Sequence, residues 1–223
     1  MENDLLAYLE GYLTENRINT FQRVLAERTK HFTVVLEDVY QPHNASAVIR
    51  SCDVFGIQDV YTIENEFSNK ISKHVARGSH KWVDLHRFKK DMDNTIPCFE
   101  SLKNSGYQLI ATSPHIDSCL LHEFDVTKKT AFVFGREKEG ISETTKEYAD
   151  GFLKIPMYGF TESLNISVAV AIILQQVTTK LKQTDISWQL TDKEKLEIYN
   201  RWVRKSVKNV NKIIEYYHEN IAT

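Results

Sequence analysis

Ile155-Pro-Met-Tyr-Gly-Phe-Thr-Glu-Ser-Leu-Asn-Ile-Ser-Val-Ala169 runs from a short apolar strand end, through a loop containing a proline and a glycine, into a polar triplet. That triplet, Ser163-Leu164-Asn165, falls where the first backbone N–H groups of a helix lack intrahelical partners, so capping alone would account for Ser163 and Asn165. The segment behind it, Val168 through Leu174, is apolar almost all round, which predicts a buried helix. A polar loop fixed to a buried helix is a common way for a rigid scaffold to present a site.

Outward from that stretch the chain alternates between strand and helix patterns. Apolar runs at Phe32–Leu36, Val60–Ile63, Trp82–Leu85, Tyr107–Ala111, Thr130–Phe134 and Phe152–Ile155 predict strands, several with helical segments between them. Near-continuous apolar strands in such alternation predict an α/β fold with a parallel sheet covered on both faces. Residues from Asp4 to about Arg28 carry helical spacing, and the tail from Thr191 onward reads as one long amphipathic helix. The expected organisation is an N-terminal helical extension (1–30), a central domain (31–184) and a C-terminal amphipathic helix (185–223).

At 223 residues, 42% hydrophobic and 26% charged, the composition is that of a soluble globular protein with a sizeable core. No apolar run spans a bilayer, and the acidic start Met1-Glu2-Asn3-Asp4 does not resemble a signal peptide. Cys52, Cys98 and Cys119 are odd in number and widely spaced, which predicts reduced thiols in a cytoplasmic protein and no metal site. Net charge is −2, so no global basic field points to nucleic acid. Locally, Lys70, Lys73, Arg77, Lys81, Arg87, Lys89 and Lys90 face Asp84 alone between residues 70 and 90. From 193 to 212, Lys193, Lys195, Arg201, Arg204, Lys205, Lys208 and Lys212 outweigh Glu194 and Glu197. These segments are either solvated faces or a local phosphate-binding surface, and charge alone does not choose.

Two further segments carry candidate chemistry. His43-Asn44 leads to Arg50 in a predicted helix that Gly56 stops, with Asn44 placed as the N-cap and Arg50 either a surface arginine or a functional group emerging from a packed helix. Phe134-Gly135-Arg136-Glu137-Lys138-Glu139-Gly140-Ile141-Ser142 places a glycine after an apolar strand, where another backbone or a ligand can come close. Its Gly135-to-Gly140 spacing imitates a P-loop, but Ile141-Ser142 stands where Lys-Ser/Thr would reach phosphate and magnesium. No GxGxxG, GxSxG or HExxH occurs.

Together, Pro42-His43-Asn44 with Arg50, Gly135-x-Glu137-Lys138-x-Gly140, and Ile155-Pro-Met…Ser163-Leu-Asn165-x-Ser167-Val-Ala resemble, in order and separation, the three signature motifs of SpoU-type (SPOUT class, TrmH-like) RNA 2'-O-ribose methyltransferases. Gly78-Ser79-His80-Lys81-Trp82-Val83 and Ala111-Thr112 resemble TrmH-like members too, including the tRNA guanosine-18 enzymes. The resemblance spans roughly Val24 to Lys182. It implies a SPOUT fold with a C-terminal trefoil knot, S-adenosylmethionine as methyl donor, and a homodimer whose active site forms between subunits. It places the donor among the loops near Thr112, at Gly135 and from Ile155 to Leu164, held through backbone groups of Gly135, Ile155, Met157 and Leu164.

By the same resemblance Arg50 is the catalytic group, Asn44 orients Arg50 or the ribose, and Ser163 and Asn165 shape the pocket. Arginine rarely gives up its proton, so binding a phosphate and stabilising an alkoxide is the easier role than that of a base. Glu137 and Glu162 fit equally well as structural acceptors. The implied activity is RNA ribose 2'-O-methylation, with tRNA at the D-loop guanosine as substrate, and ribosomal RNA or a catalytically silent RNA-binding dimer as alternatives. The N-terminal arm departs from an arginine-rich pattern, since Arg17, Arg23, Arg28 and Lys30 are met by Glu2, Asp4, Glu10, Glu15 and Glu27. RNA docking is therefore expected on the C-terminal helix, through Arg201, Arg204, Lys205 and Lys208.

Overall fold

The computed structural model describes residues 2–68, 72–90, 93–113, 118–137 and 139–221, the side chains of residues 2, 3 and 73 excepted. Lys70 of the first basic stretch, the Lys73 side chain and Lys138 of the glycine loop thus lie outside the described residues. In chain order the elements are α1 (Glu2–Glu10), α2 (Glu15–Ala26), β1 (Phe32–Glu37), α3 (Pro42–Val54), β2 (Asp59–Ile63), α4 (Lys73–Ala76), β3 (Asp84–Phe88) and α5 (Thr95–Asn104). They continue with β4 (Gln108–Thr112), β5 (Cys119–Leu120), β6 (Thr130–Phe134), α6 (Glu143–Tyr148), β7 (Gly151–Lys154), α7 (Ile166–Leu181), α8 (Asp192–Ser206) and α9 (Val210–Asn220). Two compact units result: Thr29–Trp188, and a helical unit that combines Met1–Arg28 with Gln189–Thr223. Among the described residues no helix is long and apolar enough to cross a membrane.

The central unit is a seven-stranded sheet in the order β3-β2-β1-β6-β4-β7-β5, every neighbouring pair parallel. Alternate residues of each strand feed opposite faces. Phe32, Val34 and Leu36 of β1 and Phe132 and Phe134 of β6 pack with Val48, Ile49 and Cys52 of α3 and Val170, Ile173 and Leu174 of α7. Val35, Ala131 and Val133 point the other way, onto Cys98, Phe99 and Leu102 of α5. Burial on both sides is why these strands are apolar nearly throughout. β7, the last strand in the chain, sits between β4 and β5 rather than at an edge.

Three expectations need correction. The strand predicted at Trp82–Leu85 begins instead at Asp84, because Ser79–Lys81 forms a single 3-10 turn after Gly78, whose φ is 91°. The Trp82 carbonyl then accepts from Gln58 Nε2 at 3.1 Å rather than joining a ladder. The tail is two helices, not one: Val207 is extended and Asn209 is left-handed at φ 53°. The N-terminal helix is likewise broken, with Thr14 capping α2 by accepting from the Arg17 N–H.

In the helical unit, Phe21 packs on Trp202 with ring centroids 5.5 Å apart, and the buried Arg28 guanidinium lies 5.4 Å from the Trp202 ring. Thr191 and Glu194 form a reciprocal capping box that fixes the start of α8.

Candidate active site at the reversal of strand order

β1 and β6 are neighbours, yet the chain leaves β1 for α3 on one face and leaves β6 for α6 on the other side. Such a reversal opens a crevice beyond the carboxyl ends of the strands. The three candidate segments meet there. Asn44 Nδ2 donates to Glu137 Oε1 at 2.9 Å, and Asn165 Nδ2 donates to Asn44 Oδ1 at 3.1 Å. One buried side chain thereby joins residues 93 and 121 positions away.

Asn44 is not the N-cap of α3. Pro42 opens that helix behind Gln41, which makes no side-chain cap. Asn44 sits in the first turn, and its amide is spent on Glu137 and Asn165 rather than on Arg50. Asn165 does cap α7: its Oδ1 accepts from the Ser167 N–H at 2.9 Å and the Ser167 hydroxyl at 2.6 Å, while its Nδ2 reaches Asn44. Capping and site-building are one arrangement here.

The glycine loop is a tight closure. Arg136 N–H donates to the Gly140 carbonyl at 2.8 Å, and Gly140 N–H to the Arg136 carbonyl at 3.0 Å. A Cβ on Gly135 would overlap the backbone of Gly140 and Ile141, so the close approach that requires glycine is that of the loop itself. Arg136 anchors the closure by donating to Glu66 Oε1 at 2.8 Å and Asp38 Oδ2 at 3.1 Å, and those bonds, Glu66 first, raise its pKa. Asp38, buried at φ 49°, also accepts from the backbone N–H groups of Asn65 and Glu66 through Oδ1. On the other flank, buried Glu37 accepts from the Ser142 backbone and hydroxyl and from the Thr145 hydroxyl. Sequence reasoning missed this Asp38–Arg136–Glu66 and Glu37–Ser142 bracing, since its members are contiguous only in space.

The remaining candidates are placed as follows. Arg50 is exposed and, among the described residues, has no hydrogen-bond or ion-pair partner. Six residues after Asn44, its side chain leaves the helix roughly 120° away from the Asn44 direction, so the structure does not bring these two together. Ser163 and Glu162 are exposed and, among the described residues, neither hydrogen-bonds to Asn44, whereas Glu137 does. Thr112, at the end of β4, donates to the Val133 carbonyl at 3.1 Å. Ile155 and Met157 are half-buried and Leu164 is exposed. Among the described residues, the backbone groups of residues 155–164 make no hydrogen bond.

Two sequence expectations change. α7 is buried along one side, through Ile166, Val170, Ile173, Leu174, Val177, Thr178 and Leu181, while Val168 (45%) and Ile172 (37%) stay exposed. Arg87 is not available for phosphate: it holds Glu64 through two bonds of 2.7 Å.

A parallel α/β sheet with a polar junction beyond its strand ends defines a ligand-binding α/β protein. The chain matches the model of the SpoU rRNA Methylase family over residues 31–175. It is 36% identical over 212 residues to the tRNA (guanosine(18)-2'-O)-methyltransferase of Borreliella burgdorferi, covering 94% of this chain and 95% of that protein. A protein of the same name from Thermus thermophilus is 37% identical over 198 residues, covering 86% and 98%. The crystal structure of the A. aeolicus TrmH/SpoU tRNA modifying enzyme is similar with a TM-score of 0.77 at 35% identity, covering 86% of this chain and 98% of that one. The chain belongs to the SpoU rRNA methylase family of RNA methyltransferases.

Proposed function

We propose that this protein methylates the ribose 2'-oxygen of guanosine 18 in the D-loop of tRNA, with S-adenosylmethionine as donor. Relatives with that activity in their names align over almost the whole chain. The observation that carries the reading is the Asn44–Glu137 and Asn44–Asn165 pair, which ties the three motif segments into one crevice.

The donor fits the residues present. Unpaired backbone groups at 155–164 offer donors and acceptors beside half-buried Ile155 and Met157, and the closed loop at Gly135 forms a second wall. Backbone groups of Gly135, Ile155, Met157 and Leu164 would hold adenine and ribose, with Thr112 at the third loop. Bound there, S-adenosylmethionine supplies an activated methyl group, so positioning contributes much of the rate. Asn44 and Asn165 hold the crevice in shape, and Ser163 lies beside Asn165 on the same loop. The Arg50 guanidinium, exposed and unpaired among the described residues, binds an RNA phosphate and stabilises charge developing on the 2'-oxygen.

The active protein is a homodimer in this reading. Leu164, Val168 and Ile172 leave an aliphatic stripe uncovered beside the site, and a second copy would bury it. The trefoil knot belongs to the same proposal, supported by the insertion of β7 between two earlier strands. So do a cytoplasmic location and RNA contacts from Arg201, Arg204, Lys205 and Lys208 of the helical unit. Mass spectrometry of tRNA from a strain lacking the gene tests the assignment. Loss of the D-loop 2'-O-methyl mark is expected; its persistence, with a mark lost from ribosomal RNA instead, overturns the tRNA substrate.

A further inference from the structure

Tyr158 and Phe160 stand on the loop that ends at Asn165, and they are 96% and 107% exposed. Among the described residues neither ring meets another ring, a cation or a hydrogen-bond partner. Gly159 between them is exposed and has nothing within 4 Å of where a Cβ would lie. Single exposed apolar residues are ordinary, but two bare aromatic rings bracketing a glycine on a site loop call for a cover. The uncovered surface divides by chemistry. Val168 and Ile172, one turn apart on α7, and Leu164 just before its cap are the exposed aliphatic residues suited to packing against a second copy. The two aromatic rings lie upstream of them, on irregular chain leading to the Asn44 junction. Flat π faces are what an unstacked nucleobase seeks, and proteins that read RNA loops take splayed-out bases onto aromatic side chains.

We propose that Tyr158 and Phe160 each stack on an RNA base, at and next to the nucleotide whose ribose is methylated. This rests on the RNA methyltransferase reading and assigns the residues that hold its substrate. The contact is ring-dependent and insensitive to base identity, because every base has a π face.

The test uses the full-length protein, an unmodified tRNA transcript, and the variants Tyr158→Ala, Phe160→Ala, Phe160→Leu and Phe160→Trp. The expected result is a rise of about five- to hundredfold in KM and in the filter-binding Kd for RNA for both alanine variants. Phe160→Leu should be as impaired as Phe160→Ala, and Phe160→Trp should keep wild-type affinity. The Kd for S-adenosylmethionine by calorimetry and the sedimentation coefficient should not change. Unchanged RNA affinity overturns the proposal. So does a dimer lost in Phe160→Ala and restored in Phe160→Leu, which would mean packing against a second copy, and so does weakened S-adenosylmethionine binding. RNA affinity tests the rings independently of turnover; a wild-type protein that binds tRNA but transfers no methyl group would instead sink the parent reading.

Discussion

Gly135→Ala is the sharpest perturbation the structure offers. The added methyl would fall well inside 3.0 Å of the Gly140 carbonyl and the Ile141 nitrogen, all of them backbone atoms, so the loop has to open. Opening breaks the paired Arg136–Gly140 bonds of 2.8 and 3.0 Å, at about 1 kcal/mol each. Backbone displacement in a packed site adds about 1–3 kcal/mol. The sum, about 3–5 kcal/mol, corresponds to a fall in melting temperature of roughly 6–20 °C for a chain of this size. Glu137 rides on the loop and would leave Asn44, so methyl transfer should fall further than the loss of folded protein explains. Gly140→Ala is the control. Nothing lies within 4 Å of its Cβ, but φ is +73°, so only the left-handed backbone is penalised, by about 1–2 kcal/mol. Thermal unfolding by circular dichroism, with turnover measured on the same samples, checks the ranking. A Gly135→Ala melting temperature within about 2 °C of wild type would refute the closed-loop account.

Arg50→Ala should abolish turnover while leaving stability and S-adenosylmethionine affinity intact. Arg50→Lys should retain partial activity if charge stabilisation is the role, and complete loss in the lysine variant would favour a role specific to the guanidinium. Asn44→Ala removes the hydrogen bonds to Glu137 and Asn165, whose exposed side chains pass to solvent, costing about 1 kcal/mol, and should lower kcat; a denaturation midpoint equal to wild type would show that the junction is slack. His31, half-buried with Nε2 2.8 Å from the Val126 carbonyl, has its pKa lowered chiefly by burial, with Lys129 adding to the effect. The unfolded chain therefore binds the proton more readily. This contribution to stability is full above the unfolded pKa of about 6.5 and fades as pH falls below it, and melting curves across that range should flatten in His31→Gln. Neutralising Arg201, Arg204, Lys205 and Lys208 should weaken RNA binding and shallow its salt dependence. Unchanged affinity would make these residues of α8 and of the turn after it purely structural.

The sheet was legible because strands buried on both faces carry nearly unbroken apolar runs, as Phe32–Leu36 and Thr130–Phe134 do. The break between α8 and α9 was not, because apolar spacing through Val203, Val207 and Val210 continues across it; only the left-handed Asn209 marks the turn. The sequence alone reads Asn44 as an N-cap or as orienting Arg50 or the ribose, whereas its amide bonds Glu137 and Asn165 and Gln41 stands at the cap position. A capping asparagine and one reaching across the sheet look alike when the partners lie 93 and 121 positions away. Glu137 was left ambiguous for the same reason. α7 shows a further limit: Val168 through Leu174 is apolar almost all round, yet Val168 and Ile172 stay exposed, because hydrophobicity does not say which faces of a helix are covered.

The proposed methyl-transfer site for tRNA draws on the Asn44 junction, the 155–165 loop and Arg50, brought together between two subunits rather than within one chain. Purified protein incubated with S-adenosylmethionine and an unmodified tRNA transcript, followed by nuclease digestion and mass spectrometry of the fragments, tests it directly. The account predicts one 2'-O-methylguanosine at the D-loop position with the wild type and none with Arg50→Ala. Folded wild-type protein that leaves the transcript unmethylated, or an Arg50→Ala variant as active as the wild type, would contradict it.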